Sequence, residues 1–363
     1  MAVQVIVASL AIHCFGLARY TVRELGPPSD ACDVCGGSIY LSTLWGTAIS
    51  LRQLLEPLIP DSVLKARKQW NINEKAASFG VSVRFGTEFI EAVKGCNVIR
   101  LGRRHEVYLL DCVMFFDFYF QAVKSFEVGG RKIADFSTPR FHEVVGFDDF
   151  PVQFPSIPEP YVTLDQYLSF ASLKDGDIVF DLGVYAGLTS IVFSRTVGSR
   201  GRVFGFEADK TNFGMATTNL ELARRFGLPA NVLVVPKAVW SHEGGLEFSA
   251  EAAMGSSAVS FVGTGRGSTV KVPTTTLEAF CSEQGVHRID FIKIDIEGAE
   301  VHVLESSQQL LSRFRPRIMI EPHLIDGQMT TDRCCAILKD AGYATRVVDQ
   351  YGASAPLIEA LPN

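Results

Sequence analysis

The chain has 363 residues, of which 47% are hydrophobic and 20% are charged, and this composition excludes a disordered protein. Its formal net charge of −6 excludes a general electrostatic attraction to nucleic acid or to anionic lipid. The eight cysteines do not imply a disulfide framework, because a chain of this length can be stabilised by burial of an apolar core. We therefore expect reduced thiols and a cytoplasmic location.

The first 70 residues contain no motif that indicates a chemical function. Residues 1–18 contain no charged residue, but they also lack the basic start of a secretory signal, so we predict a buried strand and helix there. No stretch of the chain is long and apolar enough to predict a membrane span. The motif Cys32-Asp-Val-Cys35 resembles half of a zinc site, but no second Cys-x-x-Cys supplies the other two ligands. We predict a loop with two free thiols.

Residues 71–161 predict an α+β extension that ends in a proline-rich connector. Short strands are expected at residues 81–85, 97–101 and 106–110, and the Phe-rich stretch 111–123 predicts either a buried helix or a pair of strands. Proline fits neither the interior of a helix nor a central strand. An extended connector is therefore indicated by Pro151, Pro155, Pro158 and Pro160.

From residue 162 to residue 363, strands and helices alternate, which is typical of a doubly wound, mostly parallel, Rossmann-like α/β sheet. A capping box, Thr163-Leu-Asp-Gln166, precedes the first predicted helix, and Asp209 is predicted to cap a helix that ends before Gly227. Sheet strands are expected at residues 178–180, 203–206, 231–235, 289–294, 317–320 and 343–348, the last of which finishes the sheet. Residues 246–273 predict a β excursion over the ligand edge.

A glycine-containing turn follows the first strand, in the stretch Asp181-Leu-Gly-Val-Tyr-Ala-Gly187. Gly183 lets the backbone turn where a side chain would clash, and Gly187 allows the next helix to pack closely on the strand. The start of that helix offers unpaired N–H groups that suit a carboxylate or a phosphate. The second strand ends in Glu207, at a position where an acid commonly binds ribose hydroxyls.

Carboxylates follow four of the first five sheet strands, and we expect them at one edge of the sheet. They are Asp181, Glu207, Asp295 with Glu297, and Glu321. Because buried carboxylates need partners, such a cluster indicates a functional site. The chain lacks both the Gly-x-Ser-x-Gly elbow of α/β-hydrolases and a Walker loop.

A nicotinamide-dependent dehydrogenase is the competing interpretation of this fold. Its Gly-x-Gly-x-x-Gly turn needs a glycine where this chain has Tyr185, which would crowd a pyrophosphate. The turn therefore favours a cofactor with a carboxylate and a ribose but without phosphates, namely S-adenosylmethionine.

These segments resemble the FkbM family of S-adenosylmethionine-dependent methyltransferases between about residues 162 and 323. The resemblance is carried by Asp181-Leu-Gly183, Val203-Phe-Gly-Phe-Glu207, Lys293-Ile-Asp-Ile-Glu-Gly-Ala-Glu300 and Ile318-Met-Ile-Glu321. It implies O-methyl transfer to a hydroxyl of a small molecule, sugar, glycolipid or polyketide. The chain departs from the family at Tyr185, where Asn is usual, and at Ala208, where Pro is usual.

Two sets of candidate site residues follow. The cofactor-binding candidates are Asp181, Gly183, Tyr185, Gly187, Glu207 and Ala238, and the catalytic candidates are Asp295, Glu297, Lys293 and His323. Asp295, Glu297 or His323 could accept the hydroxyl proton, while Lys293 could orient a carboxylate.

Three alternatives stay open at this point. Asp295 and Glu321 could hold a divalent metal that acidifies the hydroxyl, but we favour a site without one. Lys293 and Glu300 could form a purely structural ion pair. The whole domain could be a catalytically silent methyltransferase-like fold that binds a partner.

Overall fold

The computed structural model describes residues 40–42, 48–50, 61–258, 260, 268–351 and 355–363. The chain forms two compact units, Met1–Lys75 and Ala76–Asn363. Strands β1 (Tyr40–Ser42) and β2 (Ala48–Ser50) pair antiparallel, and helix α1 (Asp61–Ser78) follows them. The predictions for residues 1–18 and for Cys32-Asp-Val-Cys35 lie outside the described residues. The domain boundaries predicted near residues 70 and 161 stay predictions.

A five-stranded sheet forms the first part of the second unit. Its strands are β3 (Ser82–Phe85), β4 (Phe89–Lys94), β5 (Asn97–Gly102), β6 (Phe126–Val128) and β7 (Arg131–Phe136), in the order β3-β4-β5-β7-β6. Only the β5–β7 pair of this sheet is parallel. A short antiparallel pair, β8 (Arg140–His142) and β9 (Val152–Phe154), leads towards the connector.

Short helices connect β5 to β6. They are a 3₁₀ helix (Arg103–Tyr108), α2 (Leu109–Met114) and α3 (Phe116–Phe120). The strand predicted at residues 106–110 is therefore wrong. The buried residues Leu109, Cys112, Val113, Phe116 and Phe120 recur every three or four positions, which is a helical period that a short apolar window does not reveal.

The remaining elements follow in chain order. They are α4 (Tyr161–Ala171), β10 (Ile178–Leu182), α5 (Leu188–Val197), β11 (Arg202–Phe206), α6 (Lys210–Arg225), β12 (Val232–Val235), β13 (Ala238–Val239), β14 (Leu246–Ala250), β15 (Ser257–Ala258), β16 (Ser268–Val272), β17 (Thr274–Thr275), α7 (Leu277–Gln284), β18 (Phe291–Ile294), α8 (Glu300–Ser306), α9 (Gln308–Phe314), β19 (Arg317–Ile320), β20 (Leu324–Ile325), β21 (Gln328–Met329), α10 (Thr331–Asp340), β22 (Tyr343–Asp349) and β23 (Pro356–Pro362).

Seven of these strands form a Rossmann-like sheet in the order β12-β11-β10-β18-β19-β23-β22. The first five are parallel to one another, and β23 lies antiparallel between β19 and β22. The predicted doubly wound α/β fold is confirmed. The prediction that residues 343–348 finish the sheet is wrong, because β23 follows them. Prolines at both ends of β23 make this segment look like a connector in the sequence. At the ends of a strand, however, they do not interrupt the hydrogen bonds of the sheet.

Apolar side chains cover both faces of this sheet. Phe180 and Leu182 face one layer, which includes Phe280 of α7, while the preceding residue, Val179, faces the layer that includes Phe193 of α5. The Phe280 ring lies 5.8 Å from that of Phe180. Because alternate residues of each strand are buried on opposite faces, the strand ends are fixed in register with one another.

Of the two predicted helix caps, the one at Asp209 is confirmed and the one at Thr163 is wrong. The Asp209 side chain accepts hydrogen bonds from the backbone N–H groups of Thr211 (2.8 Å) and Asn212 (3.3 Å) and so caps α6 as predicted. The capping box at Thr163 does not form, because α4 already begins at Tyr161, immediately after Pro160. Thr163 is instead a buried residue inside the helix.

Among the described residues, Cys96, Cys112, Cys281, Cys334 and Cys335 are free thiols. None of the described helices combines the length and the apolar character that crossing a membrane would need.

We predict that Asp209→Ala lowers the free energy of unfolding by about 2 to 4 kcal/mol. The substitution removes the cap of α6 and also the acceptor for the N–H of Ala252 and the hydroxyl of Ser256. Urea denaturation followed by circular dichroism measures the change. Asp209→Asn keeps one acceptor oxygen and should lose less stability, whereas an unchanged midpoint for the alanine variant would contradict the prediction.

Candidate functional site

A cavity of 580 Å³ opens at the carboxyl edge of the parallel strands. Its wall includes residues that follow four of the sheet strands, the helical segment 107–119 and the segment 237–258. The predicted site residues in this wall are Gly183, Tyr185, Glu207, Ala238, Asp295, Glu297, Glu321 and His323. The parallel sheet therefore brings these eight residues to one cavity.

The turn after β10 leaves an open stretch of backbone in the cavity wall. Gly183 has a φ of +84°, and a Cβ atom at this position would lie 1.7 Å from the carbonyl oxygen of Asp295. Only glycine fits there, because both the conformation and the close approach of the two chain segments exclude a side chain.

Tyr185 leaves this turn accessible. Its phenol donates a hydrogen bond to the carbonyl oxygen of Ile157 (2.9 Å) and lies 3.2 Å from the hydroxyl of Ser156. The ring is thus held by the proline-rich connector, and Gly183 still lines the cavity. The crowding expected from Tyr185 does not close the Gly183 turn.

Glu207 is held by backbone groups on both carboxylate oxygens. It accepts hydrogen bonds from the N–H groups of Tyr185 and Asp209, each at 2.8 Å. Burial raises the pKa of Glu207 to about 8. The side chain is thus fixed beside the turn, where it can accept a hydrogen bond from a ligand hydroxyl.

Lys293, Asp181 and Gly187 lie outside the cavity wall. The Lys293 ammonium is buried 3.2 Å from Asp295, 3.6 Å from Asp181 and 2.7 Å from the carbonyl oxygen of Gly183. Although burial alone would lower the pKa of Lys293, Asp295 and Asp181 raise it. Lys293 therefore contacts Asp295 and Asp181 beneath the cavity wall, and the alternative pair between Lys293 and Glu300 does not form.

Asp181 and Gly187 have structural contacts beneath the wall. Asp181 accepts a hydrogen bond from the hydroxyl of Ser190 at 2.6 Å, and burial raises its pKa. Gly187 begins α5, and a Cβ atom there would lie 3.1 Å from the Cα of Ala216. The cofactor contacts predicted for Asp181 and Gly187 stay predictions.

A histidine surrounded by carboxylates forms the opposite side of the cavity. Nδ1 of His323 lies 2.8 Å from Glu300, which is fully buried, and Nε2 lies 3.5 Å from Glu297 and 3.7 Å from Asp295. Burial alone would lower the pKa of His323, but Glu297 and Glu300 raise it well above its usual value. The carboxylates on both sides of the His323 ring therefore favour its protonated form.

Residues of the extension and the connector that were not predicted as site residues also line the cavity. Glu159 lies in the wall within 3.4 Å of the Thr189 hydroxyl, and burial raises its pKa to about 8. The only sequence feature that could have indicated Glu159 was its position as an acid between two prolines. Phe115, Phe118 and Tyr119 of the helical segment also line the cavity. Their Phe-rich stretch predicted burial but not which side chains would reach a ligand.

A hydrogen-bonded tyrosine joins this extension to the segment after β14. The hydroxyl of Tyr108 donates to Glu251 (3.0 Å) and accepts from the N–H of Gly255 (2.8 Å). On the other side, the hydroxyl of Ser257 donates to the carbonyl oxygen of Glu297 at 2.5 Å. The 251–257 segment thus bridges the extension and the turn after β18.

A family model described as the methyltransferase FkbM domain matches residues 181–345. No curated protein matches the chain. Among solved structures, the methyltransferase FkbM from Methylobacillus flagellatus is 16% identical, with a TM-score of 0.40, and the match covers 55% of this chain and 48% of that one. The chain thus spans about half the length of that structure.

Two further structures have similar folds. The precorrin-6y C5,15-methyltransferase from Geobacter metallireducens is 16% identical, with a TM-score of 0.35, and 57% of this chain and 90% of that chain are covered. Fibrillarin from Aeropyrum pernix, in complex with S-adenosyl-L-methionine, is 12% identical, with a TM-score of 0.36, and 77% of this chain and 98% of that chain are covered. With TM-scores this low, these likenesses carry no conclusion about substrate.

We predict that Glu207→Gln makes the free energy of unfolding less dependent on pH. The folded-state pKa of about 8 exceeds the usual 4.5, so the stabilisation from this proton is present below pH 4.5 and is lost as the pH rises through 8. The wild type should lose up to about 1.4 kcal/mol per pH unit from this group in that window. Urea denaturation between pH 5 and 8 measures both slopes. Glu305→Gln, an exposed control, should keep the wild-type slope, and equal slopes for all three proteins would contradict the prediction.

Proposed function

We propose, because residues 181–345 match the family model of the methyltransferase FkbM domain, that the chain is an S-adenosylmethionine-dependent O-methyltransferase. The acceptor would be a hydroxyl of a small molecule, sugar, glycolipid or polyketide. One observation carries the proposal. A single cavity has the Gly183 turn and Glu207 on one side and the carboxylates around His323 on the other.

The residues around the turn fit this cofactor. A volume of 580 Å³ lies within the range of about 300–1,000 Å³ that is usual for small-molecule sites. The Gly183 backbone admits a close approach that a side chain would block, and Glu207 can accept hydrogen bonds from the ribose hydroxyls. When bound, S-adenosylmethionine supplies a methyl group on a sulfonium, which has a good thioether leaving group. The tasks left for the chain are alignment and removal of the hydroxyl proton.

Glu297 is the proton acceptor that we favour. Both ring nitrogens of His323 already face carboxylates, Glu300 at 2.8 Å and Glu297 at 3.5 Å, and Asp295 is paired with the Lys293 ammonium at 3.2 Å. Glu297 lines the cavity and has a φ of +51°, which is uncommon for a residue other than glycine and is often found at functional sites. As the oxygen–methyl bond forms and the methyl–sulfur bond breaks, the hydroxyl proton would pass to the Glu297 carboxylate.

The part of the cavity where the methyl acceptor would bind suits a substrate with an apolar face. The helical segment contributes Phe115, Phe118 and Tyr119 to its wall, and Leu324 and Tyr351 are more than half exposed there. Exposed apolar side chains that line a cavity are suited to binding apolar surface of a ligand. We therefore favour, among the acceptor classes, a hydroxyl carried by an apolar or ring-containing scaffold.

We predict that the wild type binds S-adenosylmethionine with a micromolar Kd and that Glu207→Ala weakens binding at least tenfold, which is about 1.4 kcal/mol. Gly183→Val should abolish binding, because its side chain would collide with the Asp295 backbone. Isothermal titration calorimetry measures both, and circular dichroism confirms the fold of each variant. Glu305→Ala removes an exposed carboxylate outside the cavity and should bind normally. No heat release from folded wild-type protein would favour the silent binding fold instead.

We further predict that Glu297→Gln lowers kcat at least 100-fold while the Kd for S-adenosylmethionine changes little, because only proton removal is lost. Formation of S-adenosylhomocysteine in the presence of a fractionated lysate, followed by mass spectrometry, first identifies an acceptor. Rates with that acceptor then compare the variant with the wild type. A variant with wild-type kcat would show that another group accepts the proton.

A further inference from the structure

We infer that Asp295, Glu321 and His323 bind one divalent metal ion at the acceptor end of the cavity. From the sequence we expected a site without a metal and considered only Asp295 and Glu321 as ligands, and the structure adds His323. The inference deepens the proposed function, on which it rests for the role of the ion. The ion would be one that accepts both carboxylate oxygen and imidazole nitrogen, such as Mn²⁺.

The three side chains converge on one place. Each offers a ligand atom, and these atoms all lie within 4.8 Å of one another. Ligand atoms bound to one ion at about 2.1 Å are roughly 3 to 4 Å apart, so small side-chain rotations suffice. The backbone positions are fixed, because Ile294 and Ile320, each just before a carboxylate ligand, pair across the parallel strands β18 and β19.

Residues outside the set hold the other polar atom of each proposed ligand. Glu300 holds Nδ1 of His323 at 2.8 Å, which leaves Nε2 for an ion. The Lys293 ammonium lies 3.2 Å from Oδ2 of Asp295, which leaves Oδ1. Such outer partners, above all a carboxylate on the second histidine nitrogen, are typical of metal sites because they fix the orientation of the ligand.

Glu321 follows the same pattern. Its Oε2 atom accepts hydrogen bonds from the side chains of Gln350 (2.9 Å) and Tyr167 (3.3 Å), which leaves Oε1 for an ion. Each of the three proposed ligands thus has one polar atom in contact with a neighbouring residue and a second polar atom left for the ion.

Acidic side chains around this place outnumber the basic side chains that the described residues supply. Four further carboxylates lie close to the three ligands, while Lys293 and His323 are the cations in contact with them. These carboxylates are Glu159, Asp181, Glu297 and Glu300. Oδ1 of Asp181 is fully buried and lies 3.6 Å from the Lys293 ammonium, beyond hydrogen-bond distance. A divalent ion would offset this excess, whereas one ammonium shared by two carboxylates does not.

The ion would also assist the proposed reaction. A hydroxyl bound to a divalent ion becomes more acidic, and the ion fixes its oxygen in place for attack. Glu297 lies beside the triad, 3.5 Å from Nε2 of His323, and is not one of the ligands. Glu297 would accept the proton as the oxygen–methyl bond forms and the methyl–sulfur bond breaks. The ion itself would not be altered by the step.

The test is a titration of the full chain with Mn²⁺ after removal of metals with a chelator. The electron paramagnetic resonance signal of free Mn²⁺ reports how much of the ion is bound. We expect one ion per chain, and binding at least tenfold weaker in Glu321→Gln and in His323→Gln. Both variants keep the partner of the buried Lys293, and circular dichroism confirms that they fold. Glu305→Gln, which removes an exposed carboxylate on α8, should bind Mn²⁺ as the wild type does.

A second arm separates this inference from the proposed function. Glu207→Ala should lose affinity for S-adenosylmethionine but bind Mn²⁺ as the wild type does, because Glu207 is not part of the triad. Mn²⁺ binding without any S-adenosylmethionine binding by the wild type would overturn the function but keep the metal site. Failure of the folded wild type to bind Mn²⁺, or equal binding by Glu321→Gln, His323→Gln and the wild type, would overturn the metal site.

Discussion

The buried ammonium of Lys293 fixes the centre of the site. A charged lysine in a protein interior is costly unless it is paired, and here Asp181, Asp295 and the Gly183 carbonyl oxygen surround it. Asp181 and Lys293 are also opposite each other in the pairing of β10 with β18. One buried charge thus ties the end of the first strand to the turn after the fourth. The open backbone at Gly183 and the carboxylate of Asp295 are held at a constant separation as a result.

The acidity of the cavity has a second consequence for ligand choice. Burial raises the pKa of Glu159 and of Glu207 to about 8, so both carboxyl groups titrate close to neutral pH. A cationic ligand would favour their ionised form, and a neutral or anionic ligand would not. A sulfonium cofactor suits this wall electrostatically, whereas a pyrophosphate would meet repulsion from the same acids.

The parallel sheet and the main acids of the cavity could be predicted from the sequence. Apolar strands that each end in a carboxylate are a local pattern, and parallel topology brings their ends together regardless of the loops between them. The hydrogen bonds of Tyr108 to Glu251 and Gly255 could not be predicted, because they join residues more than 140 positions apart. Glu159 was hidden for the same reason, since its environment comes from strands that follow it in the chain.

The position of Tyr108 in the chain bears on how methyl donation and the choice of alcohol are distributed along the sequence. The matched segment begins at residue 181, whereas Tyr108 and the aromatic wall residues Phe115, Phe118 and Tyr119 precede it. On the proposed function, methyl donation is encoded by the matched segment, and the shape of the space for the alcohol depends partly on residues outside it. Two proteins that are alike throughout residues 181–345 can therefore differ in the alcohol that they accept, and exchange of the earlier segment would be a route to a new acceptor within an unchanged transfer centre.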